Sequence, residues 1–197
     1  MRTTALSASI ILVVISLFDG PSISSAPAHV ALAGIAVVQA PTRFSSGYTA
    51  LTKCGSGMTK KEEKEAEKQG SDIPTRCKGF GGYDVYISYS ACASMFSLEK
   101  GEESISLGMQ AVDWKQKTVE WRLANGKPFA LIMRVYEYSG NDECAIGRKI
   151  IGESLMVKGL KGYEQIDGTV QVKSTVNPNA KARQLADDGY AKTQTGR

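Results

Sequence analysis

The chain has 197 residues, 42% of them hydrophobic, with 24 Lys and Arg against 20 Asp and Glu and a net charge of +4. That is enough apolar material for one buried core, and a charge balance that points to neither a disordered tail nor a nucleic-acid surface: acids and bases interleave, and no basic run carries aromatics. One histidine, His29, is present; because it falls in the leader, Ser-His-Asp and Cys-His nucleophiles and His-ligated metal sites are excluded from the folded body.

Residues 1–40 read as a signal peptide and leader. Arg2 precedes an apolar run, Ala5 to Phe18. It falls short of the roughly 20 apolar residues that a membrane helix needs. Ala26-Pro27-Ala28 and Ala31-Leu32-Ala33 each offer the small-x-small pattern of a processing site. A second apolar patch, Val30 to Val38, extends the leader to Ala40-Pro41, so the cleavage point stays open, as does retention of the leader as an anchor. Asp19, Gly20 and Pro21 interrupt such an anchor. No cysteine precedes Cys54, which excludes a lipid on an N-terminal cysteine. The expectation is a periplasmic or secreted protein with no stable membrane span after processing, and a single disulfide-bonded domain over 41–190.

Within that domain the four cysteines, Cys54, Cys77, Cys92 and Cys144, suit two disulfides in an oxidising compartment. Three pairings are possible; Cys54 with Cys77 and Cys92 with Cys144 are favoured because local loops close most simply. Spacing and the absence of a histidine partner argue against a metal site.

The first strand is predicted at Gly47 to Lys53. Thr59 to Gln69 then reads as a short charged helix between the first two cysteines, with Thr59 and Glu62 at capping-box spacing and Gly70 as the stop. Its apolar face is almost absent, so it should be an exposed excursion held by the disulfide. From Cys77 the pattern turns to strands. Tyr83, Val85, Ile87 and Tyr89 alternate with Asp84, Tyr86 and Ser88, as in a strand with one face buried. The turn before it, GFGGY, lacks the spacing of a phosphate loop and leads into a strand, not a helix. Further strands follow at Met95 to Leu98 and Ile105 to Leu107. A hairpin is clearest at Val119 to Leu123, turning at Asn125-Gly126 and returning through Phe129 to Val135. Glu120 or Arg122 could there meet Arg134 or Glu137 across the strands. Lys149 to Met156 and Thr169 to Ser174 are the last strand candidates, with Asp167-Gly168 as a turn between them. Asn177-Pro178 opens a terminal helix over Ala180 to Ala186, anchored mainly by Leu185 with help from Ala182 and Ala186 and stopped at Gly189, leaving a frayed tail at 191–197. The predicted fold is α+β and β-rich: an antiparallel sheet of about 6–8 strands, a C-terminal helix and the short charged helix.

CKGFGGYDVYISYS, VEWRLANGKPFALIMR and VNPNAKARQLAD occur here in that order. Together they resemble small exported alphaproteobacterial proteins of unknown function, which share a Cys-x-Gly-aromatic-x-Gly-Tyr element, an EWRL hairpin and an NPxA helix. The resemblance covers most of Cys77 to Asp187. It implies export and a β-rich fold, and transfers no active site.

No catalytic set, metal site or cofactor site emerges. Tyrosines and one arginine supply the candidate binding residues, Tyr86, Arg134 and Tyr136, since tyrosine joins apolar area to a polar tip. A non-enzymatic domain binding an envelope component or another exported protein is the favoured reading, with no nucleic acid partner. The alternative is a hydrolase of an envelope polymer working through carboxylates drawn from Glu102-Glu103, Asp142-Glu143 or Asp187-Asp188.

Overall fold

The computed structural model describes residues 41–90, 93–111, 115–140 and 149–196. The leader at 1–40, Cys92, Cys144 and the Asp142-Glu143 pair lie outside the described residues. No helix among the described residues is long and apolar enough to cross a membrane.

Among the described residues nine strands form two antiparallel sheets, where one sheet of about 6–8 strands is expected. The strands are β1 (Phe44–Ala50), β2 (Thr75–Lys78), β3 (Asp84–Tyr89), β4 (Ala93–Lys100), β5 (Glu103–Ala111), β6 (Thr118–Ala124), β7 (Lys127–Tyr138), β8 (Ile150–Gly159) and β9 (Asp167–Gln171). One sheet has the order β1-β6-β7-β8-β9 and the other β2-β3-β4-β5. Apart from β1, which pairs with the distant β6, every paired strand is a chain neighbour of its partner. Local turn chemistry therefore sets most of the register. At Asn125-Gly126 both central residues have positive φ, 50° and 80°, the signature of a type I′ hairpin turn.

Along β3 the apolar side of the alternation is buried as expected, and Asp84 on the other side is buried as well. Tyr83, Val85 and Ile87 are buried between the sheets with Phe96, Leu98 and Leu107, against Val119, Trp121, Leu131 and Met133 of the larger sheet. Tyr86 lies on the other face of β3. Where alternation predicts an exposed side for β6, the structure buries the strand on both faces. The second face packs under a helix, α2 (Pro178–Thr195), and a separate apolar cluster forms there from Phe129, Ile132, Leu155, Val157, Ile166 and Val170 with Ala182 and Ala186. The molecule is thus layered sheet, sheet, helix.

The fully buried Ala182 and Ala186 bring α2 onto the sheet, with Leu185, only partly buried, packing beside them against β9. The helix also continues through Gly189 to Thr195, replacing the expected stop and frayed tail. A Cβ at Gly189 would lie 2.7 Å from Ile166 Cγ1, so this glycine serves close approach of helix and loop. Asn177 takes a left-handed conformation with no side-chain cap, and Pro178 begins the helix. Asp167-Gly168 belongs to β9; the turn lies before it, where Tyr163 N–H donates to Leu160 O at 2.8 Å.

The short helix α1 (Lys60–Lys68) forms as expected, with a reciprocal capping box: Thr59 N–H donates to Glu62 Oε2 at 2.6 Å and Glu62 N–H to Thr59 Oγ1 at 3.3 Å. None of its residues is buried. The Cys54–Cys77 disulfide closes the loop that carries it, and Cys77 sits in the inter-sheet core.

Candidate functional site

Beyond the point where β6 begins, the face of β7 that α2 covers elsewhere is left open. Ile132, Arg134 and Tyr136 follow one another on that face of β7. Tyr48 of β1 and Arg183 of α2 close the sides, and Lys117 of the β5–β6 connection closes the end. They line a cleft of about 500 Å³. Two of the three candidate residues, Arg134 and Tyr136, are therefore brought together. Tyr86 is not: it pairs across to Arg76 and Ser97 on the outer face of the smaller sheet.

The electrostatics of this cleft are one-sided. Four cations line it, Lys115, Lys117, Arg134 and Arg183, with Glu120 as the carboxylate facing them. Glu120 is buried and fully engaged. Its Oε1 accepts from Ser46 Oγ at 2.5 Å and from Arg183 Nε at 2.6 Å, and its Oε2 from Arg183 Nη2 at 3.1 Å. Hydrogen bonding to Glu120 holds the Arg183 guanidinium more firmly protonated than usual. Arg183 Nη2 also donates to Tyr48 Oη at 3.2 Å, which fixes a tyrosine that is otherwise 57% exposed. Arg134 forms an ion pair with Glu153 of β8.

The expected cross-strand pairing of Glu120 or Arg122 with Arg134 or Glu137 is replaced. Opposite Glu120 and Arg122 in the register stand Ile132 and Ala130. Both charged side chains turn instead to α2. Arg122 Nε and Nη2 donate to Asp187 Oδ1 and Oδ2 at 3.1 and 2.6 Å, and Arg122 Nη1 donates to Ser46 Oγ at 2.6 Å. Ser46 thus accepts from one buried charge and donates to the other. Nothing local to β6 signals this, because the helix that covers these groups lies some 60 residues away in sequence.

The acid pairs proposed for hydrolysis are placed apart. Asp187 of α2 is held by Arg122 of the larger sheet, whereas Glu103 belongs to the smaller sheet and accepts from Tyr83 Oη at 2.8 Å. Among the described residues no cluster of three or more His, Cys, Asp or Glu side chains is arranged to hold a metal.

Tyr48, Lys117 and Arg183 are the cleft residues that sequence reasoning missed. Alternation does place Tyr48 on the same face of β1 as Ser46. Nothing local, however, signals that β1 will lie beside β6 under a distant helix.

Comparison with known proteins gives no family model that matches the chain, no similar curated protein and no similar solved structure.

Proposed function

We propose that this chain is an exported, non-catalytic binding domain that holds an acidic segment of another exported protein in the cleft of Tyr48, Lys117, Arg134, Tyr136 and Arg183. The observation that carries this reading is the composition of the cleft: two tyrosines meet four cations, of which Arg183 and Arg134 are answered by Glu120 and Glu153, so positive charge remains in excess. Tyrosine and arginine are the residue types that most often dominate the energy of a protein interface. An excess of positive charge selects an acidic partner and speeds its arrival. Export is supported by the leader pattern together with the Cys54–Cys77 disulfide, a bond that persists in oxidising compartments.

The test is recovery of partners from an envelope extract by the immobilised chain. Arg134→Ala with Tyr136→Ala should reduce recovery of a specific acidic protein about ten-fold, as loss of interface anchors does. Tyr86→Ala, on the far sheet, should leave recovery unchanged. Equal recovery by all three proteins would overturn the assignment of the cleft.

A further inference from the structure

We propose that the hairpin end of the two sheets is a second binding site, and that it takes a phosphate dianion, free or carried on a larger molecule. It lies at the start of β7, about 20 Å along that strand from Arg134, and does not depend on the cleft described above.

Neighbouring antiparallel strands bring their turns to a common end. Here the turns β2–β3, β4–β5, β6–β7 and β8–β9 all contribute to one cleft of about 520 Å³. Lys100 precedes Gly101, Lys127 follows Gly126 and Lys161 precedes Gly162, so each of three separate turns delivers one ammonium group. The carboxylate among them is Glu103. It is occupied, accepting from Tyr83 Oη at 2.8 Å and lying 3.7 Å from Lys161 Nζ. Burial and this hydrogen bond push the Tyr83 phenol up to about 12, with the Lys161 backbone amide opposing, so Tyr83 stays a donor and keeps Glu103 fixed. Lys100 Nζ rests 4.8 Å from the centre of the Tyr83 ring, and neither Lys100 nor Lys127 has a carboxylate partner among the described residues.

Three lysines against Glu103 leave the lining with two positive charges in excess, which Glu164, acting on Tyr83 from outside the lining, partly offsets. A phosphate monoester, at about −1.5 to −2 near neutral pH, matches that excess where a single carboxylate would leave half of it unmet. Its tetrahedral oxygens also accept from ammonium groups arriving from different directions, and lysine binds phosphate as a point charge.

The fourth wall is the glycine turn. Tyr83 N–H donates to Phe80 O at 3.2 Å, and Gly81 and Gly82 between them have φ of 64° and 84°. A Cβ on Gly81 would lie 2.5 Å from Pro128 Cγ, which only glycine avoids. Among the described residues neither the amide of Gly81, which lines the cleft, nor that of its neighbour Gly82 donates to an acceptor. Successive free amides in a turn form an anion-binding concavity, the one property of a phosphate loop that needs no helix.

Amide spectra of the isotope-labelled full chain, titrated with inorganic phosphate at low salt and near neutral pH, test the site. The Gly81 and Gly82 resonances should shift saturably, and more than with acetate. Lys100→Gln, Lys127→Gln and Lys161→Gln combined should weaken the response at least roughly five-fold, in line with loss of charge complementarity. A control that removes the same charge from α1, by Lys60→Gln, Lys64→Gln and Lys68→Gln, should keep it. No saturable shift at the two glycines, an unchanged response in the first variant, or equal loss in the control would overturn the proposal. The carrier is read from two further arms. Co-sedimentation with phosphatidylcholine vesicles containing phosphatidic acid, lost in the first variant, assigns a lipid phosphate. Tighter binding of a sugar phosphate than of the free ion assigns a soluble one, and if neither arm exceeds inorganic phosphate the ion itself is the ligand.

Discussion

Arg122 of β6 holds Asp187 of α2 through two parallel hydrogen bonds, 3.1 and 2.6 Å long, with the arginine side chain only 7% exposed. Two residues earlier on the strand and four earlier on the helix, Glu120 and Arg183 form a second pair with the charges reversed. The helix is thus pinned at two points, and sliding it by one turn would set Arg183 against Arg122.

Removing Asp187 leaves the buried Arg122 guanidinium with only Ser46 Oγ, and removing Arg122 leaves the half-buried Asp187 without its cation. Arg122→Ala or Asp187→Ala should each cost about 3 kcal/mol, since breaking a buried pair is strongly destabilising. Arg122→Met with Asp187→Leu should cost clearly less than the two single changes summed. Urea unfolding of the four proteins measures this; additive losses would show that the pair is uncoupled.

The Cys54–Cys77 bond spans 23 residues. Replacing both cysteines by serine should lower stability by roughly 3 kcal/mol on the chain-entropy view. Thr59→Ala, by contrast, removes only the cap of a helix with no buried residue. It should speed amide exchange throughout α1 while changing global stability by less than about 0.5 kcal/mol. A fall in the global transition as large as that of the disulfide variant would contradict this division.

Tyr83 makes stability depend on alkali. Its folded value, about 12, lies above the ordinary phenol value near 10. Between these values the unfolded chain has released the proton that the folded chain keeps. The stabilisation from this group is therefore complete below about pH 10 and is lost as pH rises toward about 12. Unfolding free energies across that window should fall more steeply for the native chain than for Tyr83→Phe. Equal slopes would remove Tyr83 from the account.

Gly189→Ala normally favours a helix by about 1 kcal/mol. Here the new methyl would press on Ile166, which is 2% exposed. The substitution should instead destabilise by about 1 kcal/mol or more, as overpacking does. In an Ile166→Ala background its effect should turn neutral or favourable. Thermal unfolding of the four proteins distinguishes these signs.

What could be read in the chain follows from how far the determining contacts reach. The β6–β7 hairpin was legible because Asn125-Gly126 and its flanking alternation sit within about 20 residues of sequence. The capping box of α1 and the local disulfide were legible for the same reason. The second sheet, the burial of Glu120 and Arg122, and the continuation of α2 past Gly189 were not. Each depends on a partner supplied from elsewhere: the helix over β6, and Ile166 against Gly189. Of the candidate site, Arg134 and Tyr136 stand two residues apart and so share a face of β7, whereas Tyr48 and Arg183 join them only through tertiary pairing. Lys100, Lys127 and Lys161, far apart in sequence, are likewise brought together only by the assembly of the two sheets.

The pairing of β1 with β6 also fixes an order in time. Ser46 and Glu120 are 74 residues apart, whereas the hairpins of the rest of both sheets close over short loops. Loop closure of that length is met late, and such topologies fold in milliseconds to seconds, more slowly than helical ones. Substitutions at Thr49, whose hydroxyl accepts from Trp121 Nε1 at 3.0 Å, should accelerate unfolding and leave the folding rate almost unchanged. The strand that begins the described chain would then be the last to find its place, and until it does, the polar sockets of β6 stand open to water.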